Sequence, residues 1–222
     1  MADSGVLDPS DDELIARSAA GDRDAFAALY RRRRPDVFRF ALLMSGSPAV
    51  ADDVTQDVFM EVIHHGERYQ PGRSPNPGAP APRSGVTAWL LGIARNHVLR
   101  SRHRQGFAVP MDEADASAPQ LTVSMDPLAG LARRQHVAAV RRALLGMPVK
   151  YREVIVLCDL QELPYADAAA SLGCAIGTVR SRLHRGRAML AARLEDTLGA
   201  SRRTDPARPE RGAKRRVEGW IV

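Results

Sequence analysis

The run from Gly177 to Arg187 reads Gly-Thr-Val-Arg-Ser-Arg-Leu-His-Arg-Gly-Arg, a set of donors suited to recognition rather than to bond making. Val179, Leu183, Leu190 and Leu194 recur at helical spacing and supply one apolar stripe. Arg180, Ser181, His184, Arg185 and Arg187 fall mostly on other faces. A guanidinium is a planar fork that pairs with a guanine edge or binds a phosphate, and Ser and His are short or planar donors that approach a base closely. Upstream, Leu163-Pro-Tyr-Ala-Asp-Ala-Ala-Ala-Ser-Leu-Gly173 reads as a shorter helix, with Pro164 tolerated in its first turn. Gly173-Cys-Ala-Ile176 makes the turn between them. Two short helices around a tight turn, the second one basic, predict a helix-turn-helix, and the ligand this implies is duplex DNA.

Two further clusters carry chemistry of the same non-covalent kind. Asp52, Asp53, Gln56, Asp57 and Glu61 lie opposite a Val54, Val58, Val62 stripe on one predicted helix. An acidic face on a basic protein repels DNA, so its expected partner is another protein. Trp89 and the run Arg95-Asn96-His97 bring an aromatic ring, a guanidinium and an amide together on another helix, beside a Pro- and Gly-rich loop. Such groups stack on, or hydrogen-bond, unpaired bases. A nuclease reading of the aspartates fails because helical neighbours at this spacing do not converge on one metal ion. Adjacent His64 and His65 point to different faces, and Cys158 and Cys174 lack the second pair a zinc ribbon needs. The expectation is a non-enzymatic protein with no cofactor, no metal and no small-molecule substrate.

These clusters must be held by helices. The chain has 222 residues and a formal net charge of +6, which favours a polyanionic partner. Its basic residues are nearly all Arg, with Lys150 and Lys214 the only lysines, so the arginine content by itself is a weak signal. Asp11-Asp12-Glu13 opens a short helix to about Ala20; a longer one follows, kinked near Pro35. Ser47 and Pro48 are the N-cap and first residue of a helix reaching His65, and another helix spans about Val86 to Arg104. With no strand-like alternation, the prediction is an all-α chain of two small helical domains. A disordered N-terminus occupies 1–10 and the first domain 11–104, interrupted by the Pro- and Gly-rich loop 70–85. A flexible acidic linker fills 105–130, the helix-turn-helix domain 131–198, and a basic, disordered tail 199–222. No apolar run approaches membrane-spanning length, and a cytoplasmic location is expected.

Three segments together resemble a family. Ala51-Asp-Asp-Val-Thr-Gln-Asp-Val-Phe-Met60, Ala88-Trp-Leu-Leu-Gly-Ile-Ala-Arg-Asn96 and Gly177-Thr-Val-Arg-Ser-Arg-Leu-His-Arg185 are similar, in order, to motifs of the extracytoplasmic-function (ECF, group 4) sigma factors. The resemblance covers about residues 11 to 195. It implies that Asp52, Asp53, Gln56, Asp57 and Phe59 dock on the clamp helices of the beta-prime subunit of core RNA polymerase, with the beta subunit a further contact. It places Trp89, Arg95, Asn96 and Arg100 at a base flipped from the −10 element. It places Thr178, Arg180, Ser181, Arg182, His184, Arg185 and Arg187 in the −35 major groove. It implies promoter DNA as ligand, an anti-sigma factor as a further partner, at times one that holds the protein at the inner face of the membrane, and a monomer when free. The loop 70–84 departs from the family in length and in its Pro and Gly content. Pro164 stands where many relatives carry a Ser or Thr cap. The competing reading is a stand-alone dimeric helix-turn-helix regulator, which accounts for the second domain but not for the acidic helix or the Trp89–Asn96 run.

Overall fold

The computed structural model describes residues 8–71, 85–104 and 127–203. Helix α1 (Asp11–Ala19) starts on a reciprocal cap: Ser10 Oγ accepts from the Glu13 amide at 3.2 Å, and the Glu13 carboxylate accepts from the Ser10 amide at 2.8 Å. Helix α2 (Arg23–Ser45) is capped by Asp22, whose Oδ1 accepts from the amides of Asp24 and Ala25, both at 3.0 Å. Those amides and Arg17 hold the Asp22 carboxyl below its ordinary range. Pro35 does not end the helix, which continues as one element for ten residues beyond it. Gly46 stops it in the left-handed conformation (φ 84°), and a Cβ there would stand 3.0 Å from Leu145. Helix α3 (Pro48–His65) begins where Ser47 and Pro48 predict, with Ser47 Oγ accepting from the Val50 amide at 3.4 Å. A 3₁₀ turn (Gly66–Arg68) follows, and α4 (Gly85–Arg104) closes the first domain.

These four helices bury one core built from Leu14, Ile15, Leu29, Phe40, Met44, Val58, Val62, Leu90, Leu91 and Val98. Each large side chain removed from water contributes roughly 1.5–3 kcal/mol, which outweighs the weak intrinsic preference of Val and Phe for helices.

The second domain is a bundle of α5 (Pro127–Leu145), α6 (Val149–Ile155), α7 (Tyr165–Leu172) and α8 (Ile176–Arg203). Its first helix starts four residues before the predicted start of the domain at 131, and its last passes Leu198 into the predicted tail. The apolar stretch after α6 widens into a π turn over Val156–Leu160. Gly173 (φ 63°) takes the left-handed position that a tight turn between α7 and α8 requires. Among the described residues there is no strand, and the chain is all-α with two helical domains. The remainder of the acidic linker, most of the Pro- and Gly-rich loop, the first seven residues and most of the basic tail lie outside the described residues.

The two domains pack on each other along α4–α7 and α2–α5. Arg152, only 3% exposed, donates from Nη1 to the Met44 carbonyl (2.7 Å) and from Nη2 to the carbonyls of Leu145 (2.5 Å) and Met147 (3.0 Å). Arg141 donates to the Gly46 carbonyl at 2.8 Å. Two arginines of the second domain therefore satisfy the C-terminal carbonyls of α2, which its own backbone leaves without partners. Ser171 Oγ donates to the Ala88 carbonyl at 2.7 Å, and Gln161 donates to the Asp36 carbonyl at 3.1 Å.

Candidate nucleic-acid and partner interfaces

Helix α3 divides cleanly. Ala51, Val54, Thr55, Val58, Phe59 and Val62 face the core, while Asp52, Asp53, Gln56, Asp57, Met60, Ile63 and His64 face outward. At about 100° per residue, Met60 falls among Asp52, Asp53, Gln56 and Asp57. Phe59, expected on the docking face, is a correction: it is 2% exposed and packs edge-on against Tyr30 at 4.7 Å between centroids. The exposed apolar groups of this face are Met60 (43%) and Ile63 (47%), one and four residues further on, which sequence reading passed over. They line a groove of about 360 Å³ between α2 and α3, floored by Phe26, Tyr30 and Phe59 and edged by Arg34, Asp52 and Gln56. Counting outward from the buried valine stripe would have found them, since Met60 cannot share a face with Val58 and Val62. Asp57 is half-exposed, and its carboxylate lies 3.1 Å from His97 Nδ1, which brings this face against α4.

On α4 the structure brings together three of the four expected residues. Trp89, Asn96 and Arg100 are seven and four residues apart and line one stripe. Asn96 and Arg100 are exposed; Trp89 is half-buried, tilted against the Tyr69 ring at 5.5 Å. Tyr69 is held in turn by its hydroxyl, which donates to Asp12; that contact and burial raise its pKa. Arg95 lies on the neighbouring flank, turned to the second domain. Its Nε donates to the Glu153 carboxylate at 2.7 Å and its Nη2 to the same group at 3.4 Å.

Helix α8 buries Val179, Leu183 and Gly186 and leaves Arg180, Ser181, His184, Arg185 and Arg187 exposed. Leu190 and Leu194 are only partly covered. Ser181, His184 and Arg185 lie at the centre of the outward face with Thr178 nearby, and Arg180 and the half-buried Arg182 flank them. Arg187 departs from the expected set. It lies beside the core stripe and is engaged by Asp159 through two donors (3.0 and 2.5 Å), a pairing that raises its pKa. The π turn is what carries Asp159 to that position.

Other groups are satisfied or inert. A larger cleft of about 450 Å³ between the domains is lined by Arg32, Arg33, Asp11, Asp12 and Asp36, but its arginines are already paired with Asp8, Asp11 and Asp36. Cys158 and Cys174 form no disulfide; burial pushes Cys158 up to about 11 and Cys174 upward as well, which disfavours the reactive thiolate. No group of His, Cys, Asp and Glu among the described residues could hold a metal ion, and no helix there is long and apolar enough to cross a membrane.

Two family models match at these places: sigma-70 region 2 over residues 29–79, and sigma-70 region 4 over residues 138–190. The ECF RNA polymerase sigma factor SigM of Mycobacterium tuberculosis is 38% identical over 84% of this chain and 86% of that protein. The chain belongs to the ECF sigma factors. SigE of Mycolicibacterium smegmatis, of the same family, is 32% identical to this sigma factor over 86% of its length and 71% of SigE. The two sigma-factor domains also superpose on solved structures. CnrH, solved in complex with the cytosolic domain of CnrY, matches at TM-score 0.61 and 27% identity, covering 85% of this sigma factor and 99% of CnrH. The sigma factor RpoE of Bartonella quintana, solved with the anti-sigma factor NepR, matches at TM-score 0.56 and 28% identity, covering 78% and 96%. The region 2 match takes in α2 from Leu29 onward and all of α3, and the region 4 match ends at Leu190 within α8.

Proposed function

We propose that this chain is a dissociable promoter-specificity subunit of a bacterial RNA polymerase, acting in the cytoplasm and performing no bond chemistry itself. The first domain (11–104) docks on the beta-prime clamp helices of core polymerase through the outward face of α3, Asp52, Asp53, Gln56 and Asp57 around Met60 and Ile63, while the buried Phe59 supports the groove from beneath. The observation that carries this is an exposed apolar pair, Met60 and Ile63, on the helix face that also carries Asp52, Asp53 and Asp57, on a protein of net charge +6. An apolar centre with a charged rim is how protein interfaces are built, and the rim's sign calls for a basic partner.

Trp89, Arg95, Asn96 and Arg100 hold an unpaired −10 base, and the second domain reads the −35 duplex with Thr178, Arg180, Ser181, Arg182, His184 and Arg185. Extruding a base costs a few kcal/mol, which stacking and hydrogen bonding to the captured base offset. An exposed, basic outer face on α8 and an exposed Asn96 support this division. The sigma–anti-sigma complex of the Bartonella relative supports an anti-sigma factor as a partner here too.

The test is co-elution with bacterial core polymerase at moderate salt, comparing the native chain with Asp53→Ala/Asp57→Ala. A stoichiometric complex is expected, weakened about fivefold in the variant because rim charges mainly steer association and its salt dependence. No complex from the folded native chain would return the case to a stand-alone regulator. For the second domain, Arg180→Ala is expected to reduce −35 discrimination by about 1–3 kcal/mol in a selection from randomised duplexes, provided Arg180 pairs with guanine. An unchanged base preference would remove Arg180 from the readout.

A further inference from the structure

Arg95 is claimed twice. The −10 reading, on which this inference rests, gives its guanidinium to DNA, whereas in the packed molecule two of its nitrogens are bonded to Glu153 at 2.7 and 3.4 Å. Glu153 is itself 2% exposed, in the middle of the apolar core of α6, between Arg152 and Val154. A carboxylate taken that far from water needs a cationic partner, and Arg95 is the partner the structure supplies.

The same flank of α4 carries the rest of the junction. Ser171 of α7 donates to the Ala88 carbonyl, and a Cβ at Gly92 would touch the Ser171 backbone at 3.7 Å. Ala88, Gly92 and Arg95 are four and three residues apart, one continuous strip beside the exposed Asn96 and Arg100. Helix α7 and Glu153 therefore abut the stripe proposed to hold single-stranded DNA.

We propose that Glu153 is a phosphate mimic: in the free protein it occupies Arg95 and latches the second domain against α4, and DNA binding by the −10 stripe requires that pair to exchange. Carboxylate and phosphate oxygens take the same fork geometry from an arginine, so one guanidinium serves either but not both. The latch biases a two-state equilibrium, closed with Arg95 on Glu153 and open with Arg95 available. Asn96 and Arg100 remain accessible in both states, and the discriminating group is Arg95.

The test uses the full chain without polymerase. Cys158→Ser/Cys174→Ser removes the native thiols, and Ser171→Cys places one reporter thiol at the junction, where alkylation requires opening. Introducing Glu153→Gln is expected to speed alkylation about tenfold and to raise retention of a random-sequence single-stranded DNA pool by a similar factor. Removing a negative charge could by itself favour DNA, so a second variant separates the causes. In Gly92→Cys/Ser171→Cys the oxidised disulfide holds the junction shut. With the lock formed, Glu153→Gln is expected to lose its gain in DNA retention, and to recover it on reduction.

Unchanged alkylation in Glu153→Gln would overturn the latch. So would a gain in DNA retention that persists in the oxidised lock. The polymerase co-elution described above is independent of these readouts: its failure would count against the sigma reading, while failure of the lock experiment with co-elution intact would count against Glu153 alone.

Discussion

Replacing Arg152 by methionine is expected to lower the stability of the chain by about 2–3 kcal/mol, the largest loss from any single polar substitution in the molecule. Arg152 donates to three backbone carbonyls, those of Met44, Leu145 and Met147, in a site that is almost sealed from water. Methionine fills much of the volume but leaves those acceptors without a donor. Burial and the neighbouring Arg102 lower the Arg152 pKa to about 10, so the group stays protonated at neutral pH while its desolvation works against it. That opposing effect, with an Nε that has no partner, keeps the expected loss below the sum of three charged hydrogen bonds. Thermal unfolding should shift down by about 5–10 °C for a chain of this size. Lysine should recover only part of the loss, because an ammonium lacks the fork that reaches α2 and α5 together. A melting temperature within about 1 °C of the native value would show that the carbonyls find other donors.

Met60→Asp/Ile63→Asp is expected to weaken binding to core polymerase about a hundredfold, roughly 2.7 kcal/mol. The fold should be retained, since both side chains are exposed and neither belongs to the buried core. The effect exceeds that of the rim pair Asp53→Ala/Asp57→Ala because it places charge at the desolvated centre of the interface, where an unpaired carboxylate is costly. Competition against labelled native protein for core polymerase measures it. Equal competition by the variant would move the docking surface off α3.

Much of this was legible in the chain. Ser47-Pro48, Gly173 and the acidic opening of α1 are local signals, since cap, first-turn proline and left-handed turn depend only on neighbours in sequence. The limits of α3 and α4 follow from them within one residue. The outward face of α3 was found from its acids, but Phe59 was grouped with it through family resemblance when its position beside Val58 and Val62 puts it inside. The π turn was not legible, because a five-residue widening leaves the hydrophobic pattern of Val154 to Leu157 unchanged. Because the turn went unseen, so did the Asp159–Arg187 pair that engages one arginine of the predicted set. Least visible was the junction between domains. Arg152 and Glu153 look in sequence like an ordinary charged pair on a helix, and only the partner across the interface shows why both are buried.

The open face of α8 has a consequence for how the free chain meets its ligand. With Arg180, His184 and Arg185 exposed while Arg95 is engaged, the molecule presents a polycationic face to intact duplex. Each phosphate it touches releases condensed counterions, so that encounter is driven by ion entropy, is loose, and fades as salt rises. Weak, sequence-blind contact of this kind lets a protein slide along the helix, and under the proposed latch a chain that slides with Arg95 held on Glu153 samples many sites without stalling at transiently frayed ones.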